Sequence, residues 1–220
     1  MSSRNLFEFD KSQITSDVMA IVGTDEAGRG PGAGDVFSAA VYFPKVDETL
    51  MEKLSKLNDS KQLSECVREN LYEVIIQNSI WSVHQSSVLQ IEKTNILTAS
   101  LWTMKLSCEE VIKKAGLENP FVLVDGNKLI RDFKYHQKWV KKGDSLSASI
   151  AAASIIAKVT RDRYMYELDK EFPQYDWKNN KGYLTKTHLD AVDKYGLTKY
   201  HRKKFFEKHF QIEKQVALPF

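Results

Sequence analysis

The run Gly23-Thr24-Asp25-Glu26-Ala27-Gly28-Arg29-Gly30-Pro31 decides how this chain is read. Two adjacent carboxylates end an apolar, strand-like segment, and a glycine-rich loop bearing an arginine follows at once. Carboxylates about 4 Å apart repel by about 4 kcal/mol at an effective dielectric of about 20. A divalent cation relieves that repulsion. An Asp-Glu pair before glycine is also the composition of an ordinary solvated turn. Gly28, Gly30 and Ala33 fit the loose dinucleotide-binding pattern, but that pattern opens a helix, whereas 35–43 reads as a strand. No Gly-Lys-Ser/Thr follows the glycines, which excludes a P-loop.

Outward from this run, the chain alternates between strand and helix patterns. Strands are predicted at 18–25 and 35–43, joined by the glycine loop, with Pro44 ending the second. Helices are predicted over 47–57 and 65–77, and a strand over 80–86. A long helix over 91–115 carries the stripe Leu97, Leu101, Met104, Cys108 and Val111, with Gly116 as its C-cap. Short strands at 121–125 and 138–140 precede a helix over 147–170 rich in alanine. After Pro173 the composition turns polar, aromatic and basic, with helices expected over 186–195 and 199–209. This order predicts an α/β fold: a mixed sheet flanked by helices, with a small helical C-terminal region.

The 220 residues are enough for one large domain or a domain with a small appendage, and 42% hydrophobic content supports a core. The net charge of +3 excludes a global polycation, so a nucleic-acid surface has to be local. No leader pattern and no bilayer-length apolar run is present. Cys66 and Cys108 show no metal spacing. These features predict a cytoplasmic protein with no membrane contact.

Three acids share one context. Asp25 and Asp125 end predicted strands, and Asp144 follows a third just before a helix. Side chains at strand ends of an α/β sheet converge in the crevice beyond them. Glu26 adds a fourth carboxylate. An all-carboxylate set without a histidine or cysteine cluster selects Mg²⁺ or Mn²⁺ over zinc. Two such ions about 3.5–4 Å apart suit in-line phosphodiester hydrolysis.

The chain resembles the type 2 ribonuclease H (ribonuclease HII) family. The resemblance is carried by Asp-Glu-Ala-Gly-Arg-Gly-Pro at 25–31, Asp-Ser-Lys-x-Leu-Ser at 59–64 and Val-Asp-Gly-Asn at 124–127. It continues through the long Lys-Gly-Asp to Arg-Asp-Arg block at 142–163, Lys-Gly-Tyr-x-Thr-Lys-x-His at 181–188, and His201-Arg202. These blocks span nearly the whole chain. The resemblance implies an RNase H-like catalytic domain over 1–171, a helical C-terminal region over 172–210 and a tail over 211–220. It implies an endonuclease that hydrolyses RNA in RNA–DNA hybrids and incises 5′ of ribonucleotides embedded in duplex DNA. Products would carry 3′-hydroxyl and 5′-phosphate ends.

Carried over by position, Asp25, Glu26, Asp125 and Asp144 are the catalytic, metal-binding carboxylates for Mn²⁺ or Mg²⁺. Gly28, Arg29 and Gly30 would read the 2′-hydroxyl, which alone tells RNA from DNA at one nucleotide. Tyr183 would pack on the neighbouring deoxyribose. Lys61, Lys158, Arg161, Lys186 and Arg202 are candidate phosphate contacts, with Ser60 and Thr185 as hydroxyl donors. The terminal Gln215, Leu218 and Phe220 resemble the short peptides that dock into bacterial sliding clamps. A monomer is expected. Three positions depart from the family pattern. Gly32 replaces a larger apolar residue, Asp35 replaces proline, and Leu184 replaces the glycine after the tyrosine. Leu184 would cost about 1–2 kcal/mol if its site required positive φ. Asp35 is expected to add negative charge beside the hybrid groove, so that these departures alter substrate positioning rather than chemistry.

Overall fold

Alternating apolar and small residues in 20–27 and 36–42 build a tight antiparallel hairpin. In the computed structural model, which describes residues 3–15 and 18–216, these are β1 (Ala20–Ala27) and β2 (Val36–Tyr42), paired with Asp25 opposite Ala39. β3 (Ile80–Ser86) adds antiparallel to β2. On the other side β4 (Pro120–Asp125) runs parallel to β1, and β5 (His136–Val140) runs parallel to β4. The sheet order is β3-β2-β1-β4-β5. The mixed, helix-flanked sheet that the sequence predicts is what forms.

Strand side chains alternate between faces, and each face has its own helix. The alanine-rich α6 (Ala148–Glu171) covers one face, with Ala151, Ala152 and Ile155 packed among Ala39 and Val41. It lies close because β1 offers a glycine there: a β-carbon on Gly23 would stand 2.2 Å from the carbonyl carbon of Ser149. The opposite face is covered by α5 (Ile96–Ala115), whose Met104, Cys108 and Val111 meet Val22, Ala40 and Val124. Gly116 caps α5 with φ +63°, as predicted.

The predicted helix over 91–115 is two helices. α4 (Val88–Lys93) starts at a capping box formed by Ser87 and Gln90, and Asn95 restarts the chain as the N-cap of α5. An asparagine side chain that accepts from the backbone competes with helix continuation, and the apolar periodicity alone hid this break. Two further helices, α2 (Glu48–Lys53) and α3 (Glu65–Asn78), connect β2 to β3.

An N-terminal helix, α1 (Ser3–Ser12), was not anticipated. It inserts Leu6 and Phe7 into the α6-side core. It is pinned by the buried Asp10, which accepts from Ser147 Oγ, Ser149 Oγ and the Ser149 backbone N–H at 2.5, 2.7 and 2.8 Å.

The C-terminal region contains α7 (Trp177–Asn180), α8 (Lys186–Tyr195) and α9 (Lys203–Val216). They surround Tyr175, Trp177 and Phe206 and rest on Met165 and Leu168 of α6. The last helix begins at Lys203 rather than 199, because Tyr200 and His201 are held in the preceding turn. Among the described residues no helix is long and apolar enough to cross a membrane.

Candidate active site

β1 delivers Asp25 and Glu26 to one end of the sheet, and period-2 alternation sends them to opposite faces. Glu26 lies toward α5, where Ser100 Oγ donates to it at 3.3 Å, and the Arg29 guanidinium pairs with it at 3.2 Å. Asp25 shares the face of Gly23 and is 4% exposed, its Oδ1 accepting from the Glu26 N–H at 2.6 Å. β4 ends next door at Asp125, whose Oδ1 accepts from the Gly143 N–H at 2.7 Å. That bond ties the strand end to the 3₁₀ turn Gly143–Ser145, which carries Asp144.

The four carboxylates therefore meet from β1, β4 and the turn before α6. Burial pushes the Asp25 carboxyl well above its usual range, and the charges of Glu26, Asp125 and Asp144 push it further. Burial also raises Glu26 and Asp125. Asp144 is pushed up to about 6, by burial first and then by Asp59 and Asp125. Burial works against the Lys61 ammonium, yet the surrounding Asp25, Asp59, Asp144 and Glu26 outweigh it and raise its pKa. The site is thus a pocket of excess negative charge with one lysine inside. Its donor set is all oxygen, which fits a hard divalent cation. Among the described residues no group of three or more acidic, histidine or cysteine side chains is placed so as to hold a metal ion as it stands.

A cavity of about 190 Å³ opens beside Asp25 and Glu26. Its walls include Gly28, Arg29 and Gly30 on one side and Ser60, Lys61, Lys158, Arg161 and Tyr183 on the other. Gly28 is required for two reasons. Its φ is +102°, and a β-carbon there would stand 2.2 Å from Arg161 Nε. The Tyr183 ring lies over Gly30, 3.3 Å from where a β-carbon would be, and remains 48% exposed.

The basic candidates divide by location. Arg161 is 1% exposed and donates to the carbonyls of Asp35, Ala33 and Lys181 at 3.0–3.1 Å. Arg202 is fully buried and donates to the carbonyls of Gly34, Pro31 and Arg29. Both guanidiniums hold the glycine-rich loop from beneath. Burial lowers both pKa values, that of Arg202 to about 9. Lys158 lines the cavity and pairs with Asp162 at 2.6 Å. Lys186 lies away from the cavity, exposed and paired with Asp190, while Thr185 caps α8 by accepting from the His188 N–H. The Ser60 hydroxyl faces inward and accepts from Ser154 Oγ at 2.6 Å. Gln215 and the segment Leu218–Phe220 lie outside the described side chains.

Sequence reading missed Asp59 and Ser100 as members of the site. Asp59 was visible as the first residue of its block, yet its N-cap bond to Lys61 gave no sign of its closeness to Asp144. It also mislocated Asp35. That side chain is 6% exposed and turned away from the cavity. It accepts from the Val88 N–H at 3.0 Å and from the Tyr164 hydroxyl, with Arg161 and Arg202 as counter-charges. No charge is added to the groove. Leu184 is not among the residues with positive φ, so the anticipated strain is absent.

A mixed sheet with carboxylates gathered at neighbouring strand ends, covered by a long helix, defines a nuclease of the ribonuclease H class. The family model described as Ribonuclease HII matches residues 22–212. Ribonuclease HII of Wolbachia sp. subsp. Brugia malayi is 47% identical over 185 residues, covering 84% of this chain and 87% of its own. Among solved structures, the Archaeoglobus fulgidus PCNA:RNase HII complex matches with a TM-score of 0.69 at 23% identity, over 85% of this chain and 95% of the other. Bst-RNase HIII in complex with Mn²⁺ matches with a TM-score of 0.67 at 17% identity, over 98% and 72%. The chain belongs to the ribonuclease HII family and is an endoribonuclease.

Proposed function

We propose that the substrate is the RNA strand of RNA–DNA hybrids and the single ribonucleotide embedded in duplex DNA, incised on its 5′ side. The observation that carries this reading is the conjunction of Asp25, on which the charges of Glu26, Asp125 and Asp144 act, with a glycine loop that backbone and guanidinium bonds hold against the cavity. Asp25, Glu26, Asp125 and Asp144 would hold Mn²⁺ or Mg²⁺. When bound, these ions lower the pKa of the attacking water and stabilise the leaving oxygen. Water attacks phosphorus, the P–O3′ bond breaks, and the products are a 3′-hydroxyl and a 5′-phosphate.

The chain's own groups orient the duplex. Gly28, Arg29 and Gly30 approach the 2′-hydroxyl without a side-chain obstacle. Tyr183, exposed over Gly30, packs on the next deoxyribose. Lys61 and Lys158 face the phosphates, and Arg161 and Arg202 act by holding the loop. The Ser60 hydroxyl is engaged by Ser154, and Thr185 caps α8. Lys186 is free to reach a more distant phosphate only by leaving Asp190.

As partner, a sliding clamp taking Gln215, Leu218 and Phe220 agrees with a solved relative that is itself a complex with PCNA. The protein acts as a cytoplasmic monomer. A catalytic domain over 1–171, a helical region over 172–210 and a tail from 211 complete this reading, with α9 running on to Val216.

The test is a DNA duplex with one ribonucleotide, incubated with Mg²⁺, Mn²⁺ or EDTA. Metal-dependent incision 5′ of the ribonucleotide is the expected result. Cleavage of hybrid tracts without incision at the single ribonucleotide overturns the junction reading, and no cleavage of either overturns the substrate assignment.

A further inference from the structure

Gly32 lies in the loop between β1 and β2, and Leu184 lies in the turn between α7 and α8. A β-carbon built on Gly32 would fall 2.5 Å from Leu184 Cδ2, 3.1 Å from Leu184 Cγ and 3.2 Å from Phe206 Cε2. The space for a side chain at 32 is therefore filled by the side chain at 184. Two of the three positions that depart from the family pattern are in contact, one lacking bulk where the other supplies it.

The surrounding backbone is bound tightly. The N–H groups of Gly32 and Ala33 both donate to the Gly182 carbonyl, at 2.9 and 3.2 Å. Gly182 itself has φ +82°, and a β-carbon on it would stand 2.5 Å from the Ala33 carbonyl oxygen. Arg161 bridges the same two loops through Ala33 and Lys181. Leu184 is the side chain that keys one loop into the other, and the residue before it is Tyr183. Leu184 is thus bonded through one peptide to the residue whose ring lies over Gly30. Gly32 is buried and bears no side chain, so a substitution there reaches the substrate through Leu184.

We propose that Leu184, seated on Gly32, is a positioning residue that sets the Tyr183 ring over Gly30 and thereby the discrimination for a single embedded ribonucleotide. This rests on the reading of Tyr183 as the group that packs on the substrate sugar. Packed neighbours of this kind couple, and their effects do not add.

The test compares Gly32→Leu, Leu184→Gly and the exchange double variant G32L/L184G. It measures melting temperature and the ratio of incision rate at a single ribonucleotide to cleavage rate of a uniform hybrid. Each single variant is expected to lower the ratio about fivefold or more, and the double variant to recover most of it and of the melting temperature. Should Gly32→Leu not fold, Leu184→Ala removes bulk without adding any and is expected to lower the ratio likewise. A double variant whose ratio equals the product of the single losses overturns the proposal. Tyr183→Ala separates the two readings. If it lowers the ratio while Leu184→Ala does not, the positioning role fails alone. If it leaves the ratio unchanged, the sugar-packing reading fails.

Discussion

The Val88 N–H donates to Asp35 Oδ1 at 3.0 Å, so the residue that ends the glycine-rich loop also caps the helix after β3. The same carboxylate is the first counter-charge to the buried Arg202 and acts on Arg161 after Asp162. Asp35→Pro removes both functions. Loss of a cap costs about 1 kcal/mol, and uncompensated buried charge costs about 3–5 kcal/mol. Asp35→Pro is therefore expected to lower the urea midpoint sharply, with no gain in ribonucleotide preference. A variant of unchanged stability would show that the guanidiniums need no carboxylate.

Asp125→Asn keeps the volume and the acceptor for the Gly143 N–H. It is expected to fold and to bind hybrid while losing most cleavage. Removing a group that only hydrogen-bonds a metal ligand already costs about 10–100-fold, and loss of a ligand is expected to exceed that. Titration calorimetry with Mn²⁺ beside a cleavage assay reads both effects. Turnover within a few-fold of the parent would remove Asp125 from the metal set.

Asp10 gives stability a pH dependence. Burial raises its pKa from 3.8 to about 6 despite three hydrogen bonds. The folded state thus holds the proton more tightly than the unfolded chain. Its contribution is full below about pH 4 and is lost as pH rises through 6. Urea midpoints of the parent minus those of Asp10→Asn are expected to fall across that window and to be flat above it. A difference that does not vary with pH would mean that Asp10 titrates normally.

His188 and His201 act in the opposite direction. The Thr198 N–H donates to His201 Nδ1, so His201 carries its proton on Nε2 and donates it to His188 Nε2 at 3.1 Å. Trp177 donates to the same atom, and His188 Nδ1–H reaches the Tyr183 carbonyl at 2.9 Å. Burial lowers both pKa values, that of His201 to about 3, with His188 adding to the effect. Their contribution is full above the unfolded value of 6.5 and is lost as pH falls below it, for His201 toward about 3. Ring-nitrogen NMR signals of His201 are expected to stay neutral and flat from about pH 5 to 8. A titration inside that range would break the assigned chain of donors.

Much of this was legible from local pattern. Asp25 and Asp125 each end an apolar run that reads as a buried strand, and Asp144 follows a short strand just before a helix, which located them at one sheet end. Leu97, Leu101 and Met104 gave the face of α5. What stayed hidden depends on partners distant in sequence. Asp10 carried no signal of its own, because its partners Ser147 and Ser149 lie far along the chain. Arg161 and Arg202 looked like phosphate ligands because a guanidinium suits a phosphate and a cluster of carbonyls equally well. Asp35 looked like a groove charge because nothing local announced Val88. The α1 helix was missed because its few apolar residues are insufficient without the core they enter.

Five carbonyls of the loop, those of Arg29, Pro31, Ala33, Gly34 and Asp35, are bonded to two buried guanidiniums. A segment so rich in glycine is ordinarily the least ordered part of a surface. Here its backbone is held within the folded chain itself, by Arg161 of α6 and by Arg202 just before α9. Recognition of the proposed duplex would then require no folding of the reader, and its heat-capacity change is expected to be that of two rigid bodies meeting.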